Sequence, residues 1–385
     1  MSNRKTDYFV YAICVFFVSL PLGAMNLMGA GSALKFIGLL PLIVFLFHRI
    51  PATKLDRITL IQLALTLWIS ATLLWSVDYE SSAESIKTQW LFFGLILPIG
   101  AYTFSEGHIR KFRTSLRWAS RITAAITLGL GVSVDGRLWL RGRITEDPNY
   151  LCAYFLFGIA GSFIGLLEDN KKAIKALSAI ELLLYFYIVL LTGSRGGTLS
   201  VVSVLIVLFL FYNANRNDRR TFGKKIAIVA VILIGGAIIL PSIPQNLLER
   251  FTIESAIESR GTHRLDIWER ALRIFADAPF ERMLVGFGYN ASRTLLGLHG
   301  YPRQVLHNVF LEYLVGTGFL GFVIYCKSVY MFCKFAVKEA DLFSVSIVVG
   351  MVILSLSTSI ISFKPYWDIL IYILCACAHK EKQLT

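Results

Sequence analysis

The sequence is short of charge. Of 385 residues only 16% are Asp, Glu, Lys or Arg, whereas 56% are hydrophobic, and the mean hydropathy is +0.63. That shortage excludes an ordinary soluble surface and places the chain in a membrane. A crossing helix takes roughly 20 apolar residues, so this length holds about a dozen of them and no separate soluble domain. Cysteine is scarce as well. Cys14, Cys152, Cys326, Cys333, Cys375 and Cys377 lie in or beside apolar runs without metal-ligand spacing, so neither zinc nor disulfides are expected. No clear small-residue cleavage site follows the first apolar run, which continues past Pro21, and the first helix is expected to stay.

What is present is a series of apolar runs. They centre on Tyr8–Met25, Leu34–Phe47, Leu60–Trp75, Trp90–Phe104, Ile122–Val134 and Tyr150–Leu167. Six more are Ile174–Leu191, Leu199–Tyr212, Ile226–Ile243, Phe310–Phe332, Phe343–Phe363 and Tyr366–Ala378. The expected fold is all-α, a single integral membrane domain over 1–385 with about twelve transmembrane helices. The second and last runs are short enough to be tilted, broken or re-entrant.

Charge placement orients this arrangement, because Lys and Arg are retained on the cytoplasmic side of short loops. With both termini cytoplasmic, the inner segments hold 23 of the 38 Lys and Arg but only 10 acids, which puts the whole net charge of +13 on that face. The basic balance is therefore a topology signal, and nucleic-acid binding loses its support. Outside, 12 of the 15 basic residues are Arg. Guanidinium forks suit phosphate oxygens bidentately, although topology alone also draws Lys inward.

The longest polar stretch, Pro244 to Arg303, lies in an outer loop over 244–306 and holds eight Arg against seven acids. Leu265, Trp268, Leu272 and Phe275 recur at helical spacing, predicting an amphipathic helix over Thr262–Ala276 at the membrane surface. Arg260 and Arg264 would be neighbours at i and i+4 on it, or else snorkel to headgroups. Gly286, Gly288 and Ala291 match a dinucleotide fingerprint in spacing, but no strand-helix-strand unit surrounds them, so they read as a tight turn.

Chemistry-bearing residues gather on the outer side. His307 stands where the chain re-enters the membrane, followed by Asn308, Glu312, Gly318 and Gly321. A partly desolvated histidine there can exchange a proton near neutral pH, or simply anchor the helix start. Thr192-Gly193-Ser194-Arg195-Gly196-Gly197 is a turn whose glycines let backbone amides crowd an anion, with Arg195 either a functional cation or a snorkelling anchor. It lacks the ending of a nucleotide P-loop. Arg137 to Asn149 carries Arg137, Arg141 and Arg143, then Glu146, Asp147, Pro148 and Asn149, in which Asp147 also suits a helix cap. Two acids lie inside runs. Asp368 is four residues from Lys364, and Glu181, without a local partner, is the best hook for a transport reading.

Taken in order, these pieces resemble the O-antigen ligase and polysaccharide polymerase superfamily of bacterial membrane glycosyltransferases. The resemblance rests on Asp147-Pro148-Asn149, the Gly193 to Gly197 turn, Arg264 through Trp268 leading to Gly286 and Gly288, and His307-Asn308 with Gly318 and Gly321 behind. It covers roughly the second half of the chain. It implies en bloc transfer of a glycan from a polyprenyl pyrophosphate carrier to an acceptor hydroxyl on the outer face of the plasma membrane, without metal, nucleotide or other cofactor. The acceptor would be a lipid or another glycan, as in lipopolysaccharide assembly or repeat-unit polymerisation. His307 would be the base and Arg195 and Arg264 the pyrophosphate clamps. Arg143, Arg260, Asp147, Asn149 and Asn308 are the expected substrate-binding residues. A polymerase with the same donor remains open, and so does a lipid-linked glycan transporter using Glu181.

Overall fold

The computed structural model describes residues 2–25, 33–50, 55–140, 146–213, 219–258, 263–338, 341–359 and 364–380. Helix dominates, and each apolar run lies at least in part on helix. Five helices are long and apolar enough to cross a membrane: Arg57–Trp75, Pro148–Glu168, Lys172–Leu191, Thr221–Ser242 and Val309–Val337. Asp7–Val18, Ala33–Phe47, Arg195–Phe211, Leu342–Ser355 and Pro365–Ala376 are apolar but shorter. The chain is thus a mostly helical, polytopic membrane protein. The second run is divided by a turn at Gly38 into Ala33–Ile37 and Leu39–Phe47. Helix starts follow side-chain chemistry: Asp56, Asp78, Ser105, Asp147, Ser194 and Asp341 each accept a backbone N–H of the first turn.

Strictly all-α is a correction to make. The fifth run, expected to stay helical to Val134, leaves the helix after Leu130 and forms a hairpin, β1 (Gly131–Val134) and β2 (Arg137–Leu140), with Val134 opposite Arg137. Asp135 and Gly136 both have positive φ (51° and 76°), the backbone a tight two-residue hairpin turn demands, and Asp-Gly supplies it. The hairpin carries Arg137 toward Thr192.

The Pro148–Glu168 helix is the central post, with 83% of its apolar window buried, against 17% for the peripheral Thr221–Ser242. Around the post pack Glu106–Leu130, Lys172–Leu191, Arg195–Phe211 and Leu342–Ser355. Polar contacts sort into two ends, as alternating crossings require. At one end Arg137 meets Thr192, Arg195 meets Ser255, and Tyr150 meets Ser359. At the other Arg113 pairs with Asp341 at 2.7 Å and Tyr212 donates to Glu168 at 3.1 Å.

Glu181 lies midway along the Lys172–Leu191 helix and has distant partners that sequence adjacency could not reveal. Arg117 Nη2 reaches its Oε2 at 2.7 Å, Arg121 Nε its Oε1 at 2.7 Å, and Ser162 Oγ donates to Oε2 at 2.9 Å. A buried carboxylate so neutralised ties three helices together. Both Asp368 oxygens are buried with no hydrogen-bond partner among the described residues, and the side chain of Lys364 lies outside them.

Residues 263–306 form a cap with its own apolar cluster, in which Ile267, Ala271, Ile274 and Phe275 pack with Phe287, Leu295, Leu296 and Leu306 and with Val315 beyond. The amphipathic helix runs Arg264–Ala276. Its buried face is not the expected stripe, because Leu265 and Leu272 are 47% and 41% exposed while Ile267, Ala271 and Ile274 are buried. The segment has apolar residues enough for two faces. Tertiary contacts choose the rotation: Phe275 packs edge-on against Phe319, and the Trp268 indole donates to the Leu306 carbonyl.

The Val309–Lys338 helix is broken at Gly318 (φ 68°, ψ −175°). The segment beyond the break is about 30 Å long at 1.5 Å per residue, enough for a crossing by itself. His307 stands two residues before this span candidate begins at Val309. Gly286 (φ 78°) faces the break, and a Cβ on Gly286 or Gly318 would run into the other's backbone, which accounts for glycine at both. The Gly286–Gly288 segment is the expected tight turn, pinned by N–H groups of Phe287 and Gly288 on the carbonyls of Val315 and Gly316.

Candidate functional site

The site lies at the end of the bundle under the cap. Gly193 (φ 58°) turns the chain out of the Lys172–Leu191 helix, and Ser194 Oγ accepts from Gly197 N at 3.0 Å, starting the next helix at Arg195. Three guanidiniums are tethered around this turn by main-chain carbonyls. Arg137 Nε donates to Thr192 O at 2.8 Å, Arg250 Nε to Gly193 O at 3.4 Å, and Arg195 Nε to the carbonyl of Arg250. Arg195 Nη2 also donates to Ser255 Oγ at 2.8 Å. A carbonyl orients a guanidinium without cancelling its charge. Among the described residues no carboxylate lies within ion-pair distance of Arg137, Arg250 or Arg264.

Asp147 Oδ1 accepts from the backbone N and the Nδ2 of Asn149, both at 2.7 Å, with Pro148 next in the helix, so it does cap the post helix. Asn149 Oδ1 in turn accepts from Arg137 Nη2 at 3.4 Å. Asn308 is buried, and its Oδ1 accepts from Phe310 N and Leu311 N at 3.0 and 3.2 Å, starting the helix after His307. Arg143 and Arg260 lie outside the described residues.

His307 is half-buried with a left-handed backbone (φ 51°). Burial, and next the charge of Arg264, hold its imidazole below the ordinary value of 6.5; Asp147 pulls the other way and Arg293 adds to the depression. The free imidazole is therefore the form present at neutral pH. Burial also works against the Arg264 charge, with Asp147 relieving it and Arg137 and Arg195 opposing it. For Arg137 burial comes first and the Arg250 charge second, both unfavourable. His307, Arg264, Arg195, Arg137 and Asp147 thus share one electrostatic neighbourhood, although they come from four distant segments. Arg250 and Arg293, which complete it, were visible in the sequence only as two among eight loop arginines. Among the described residues no group of His, Cys, Asp and Glu is placed to hold a metal ion. Such an arrangement can hold a multiply charged anion beside a neutral base.

The O-antigen ligase family profile matches residues 180–326. This stretch is an O-antigen ligase family domain. It takes in Arg195, Arg250, Arg264, Arg293 and His307, and leaves Arg137, Asp147 and Asn149 in the segment before it. No curated protein matches the chain. A chain of the solved structure "Structural coordination of polymerization and crosslinking by a peptidoglycan synthase complex" is similar over 84% of this chain and 96% of its own, at 15% identity with a TM-score of 0.45.

Proposed function

We propose that this protein transfers a glycan en bloc from a polyprenyl pyrophosphate carrier to an acceptor hydroxyl, at the outer face of a bacterial plasma membrane. His307 takes the acceptor proton as the hydroxyl oxygen attacks the anomeric carbon. The bond from that carbon to the pyrophosphate oxygen breaks, its electron pair leaves with the carrier, and the anomeric configuration inverts. Arg195 and Arg264 bind the departing pyrophosphate, with Arg137 and Arg250 flanking them and Arg143 and Arg260 as further candidates. Asp147, Asn149 and Asn308 shape the surround. What supports the reading is that half-buried His307 feels the charges of Arg264, Asp147 and Arg293, while Arg264 in turn feels those of Asp147, Arg137 and Arg195. The family domain supports the same chemistry.

A small apolar crevice lined by Phe310, Tyr325, Phe332, Met351, Tyr366 and Ile373 adjoins the segment that follows His307. The acceptor is a lipid-borne core in a ligase and a second carrier-linked glycan in a polymerase. Reconstituted protein given carrier-linked glycan and a panel of acceptors tests both. His307→Ala, Arg195→Ala and Arg264→Ala should abolish transfer while each protein still inserts. Near-full transfer by His307→Ala ends the base assignment, and movement of lipid-linked sugar across vesicles without joining points to a transporter.

A further inference from the structure

We infer that Glu312 and Trp268 are positioning residues that set the His307 imidazole by gripping the two sides of Leu306, an inference that rests on His307 being the base. A left-handed backbone at a residue other than glycine is strained and persists only where its surroundings over-determine it. The surroundings of His307 do so. Before it, the N–H of Leu306 donates to Glu312 Oε1 at 2.8 Å, and the carbonyl of Leu306 accepts from Trp268 Nε1 at 2.8 Å. After it, Asn308 is held by its own cap bonds, and the N–H of Glu312 donates to the Asn308 carbonyl at 2.9 Å. With both neighbours fixed, the one residue between them takes the strained conformation.

The two grips reach different parts of the site. Glu312, only 3% exposed, also accepts from Ser359 Oγ at 2.8 Å. Ser359 is bonded in turn through its N–H and carbonyl to the Tyr150 hydroxyl, both at 3.1 Å, on the helix that Asp147 caps. A carboxylate buried that deeply is costly unless its bonds are used, and here they hold main chain beside the base. Trp268 lies four residues after Arg264 on one helix, so the two side chains share a face. That helix presents the pyrophosphate cation and, one turn on, the indole that fixes the base's neighbour. The spacing of Arg264 and His307 is thereby set by a single rigid element.

The test is steady-state transfer by the full chain in lipid nanodiscs with carrier-linked glycan, comparing Glu312→Ala, Glu312→Gln, Trp268→Phe and the Glu312→Ala/Trp268→Phe pair with His307→Ala. Misplacing a catalytic group by about 1 Å can cost about 100-fold. Glu312→Ala and Trp268→Phe should therefore lower kcat by about 10- to 100-fold with donor KM unchanged. The paired loss should fall short of the product of the single ones, because both act on one peptide segment. Glu312→Gln keeps the acceptor oxygen and should restore most of the rate lost in Glu312→Ala, with the pH midpoint where the parent has it. Parent-like kcat in Trp268→Phe, a KM effect in place of a kcat effect, or no rescue by Gln would overturn the inference. If Glu312→Ala does not accumulate, Trp268→Phe and Glu312→Gln decide. An active His307→Ala removes the base assignment instead, a result distinct from any of these.

Discussion

Arg137 Nε donates to the carbonyl of Thr192 at 2.8 Å, which ties the hairpin to the glycine turn 55 residues further along the chain. The bond leaves the guanidinium charged and its remaining nitrogens turned to other partners, Asn149 among them. Removing one well-placed charge stabiliser costs on the order of 10²- to 10³-fold in rate. As flanking groups, Arg137→Ala and Arg250→Ala should each cost about 10-fold or more in kcat/KM for the donor. Arg137→Lys should not rescue, since lysine offers one nitrogen where Arg137 uses two. Donor titrations at fixed acceptor measure this.

The pH dependence should carry the sign of a depressed base. His307 must be neutral to accept a proton, and its folded value lies below 6.5, so kcat/KM should be flat near neutral pH and fall only in the acid range. Bound pyrophosphate brings negative charge beside the ring and favours its protonated form. The midpoint in kcat should therefore lie above that in kcat/KM. Profiles with coincident midpoints would mean that the anion does not sit next to His307.

Glu181→Ala strands Arg117 and Arg121 in the bundle interior. Breaking a buried pair in this way costs about 3–5 kcal/mol, read as a lowered thermal midpoint in detergent. Transfer per folded molecule should hold, because Glu181 lies midway along its helix, twelve residues before the Gly193 turn, and touches none of the proposed site residues. A selective loss of lipid-linked sugar movement would make Glu181 a transport residue.

Gly318→Ala should destabilise the cap, by about 1–3 kcal/mol from the left-handed backbone alone, and by more once its Cβ meets the Leu284 carbonyl. Hydrogen exchange should rise first in the cap.

Transfer should survive excess chelator. In the proposed reaction guanidiniums supply the cations that a pyrophosphate leaving group needs, and among the described residues no group of His, Cys, Asp and Glu is placed to gather an ion. Activity that needed a divalent ion would call for another mechanism.

The helices were legible because a long apolar run has few other stable outcomes in a membrane. Arg195, Arg264 and His307 stood out in the sequence as charged or titratable groups in polar turns and loops. Arg250 was not, since only the fold brings it against Gly193. Glu181 met Arg117 and Arg121 across 64 and 60 residues, a distance at which no local spacing rule operates. The rotation of the Arg264–Ala276 helix was beyond sequence because Leu265, Ile267, Trp268, Ala271, Leu272, Ile274 and Phe275 offer two competing stripes. The hairpin was hidden by the apolar character of Val132 and Val134, although Asp135-Gly136 marks it in retrospect.

The interruption at Gly318 separates two mechanical tasks. A bilayer that thickens or thins is answered by helix tilt, and a stiff rod through the lipid would carry that tilt straight to whatever it bears at its tip. Here the segment that follows His307 is bolted sideways to the Gly286–Gly288 turn through the carbonyls of Val315 and Gly316. Tilt of the longer segment past Gly318 therefore need not be carried in full to the imidazole, because the first turns of the span are fastened to the Gly286–Gly288 segment.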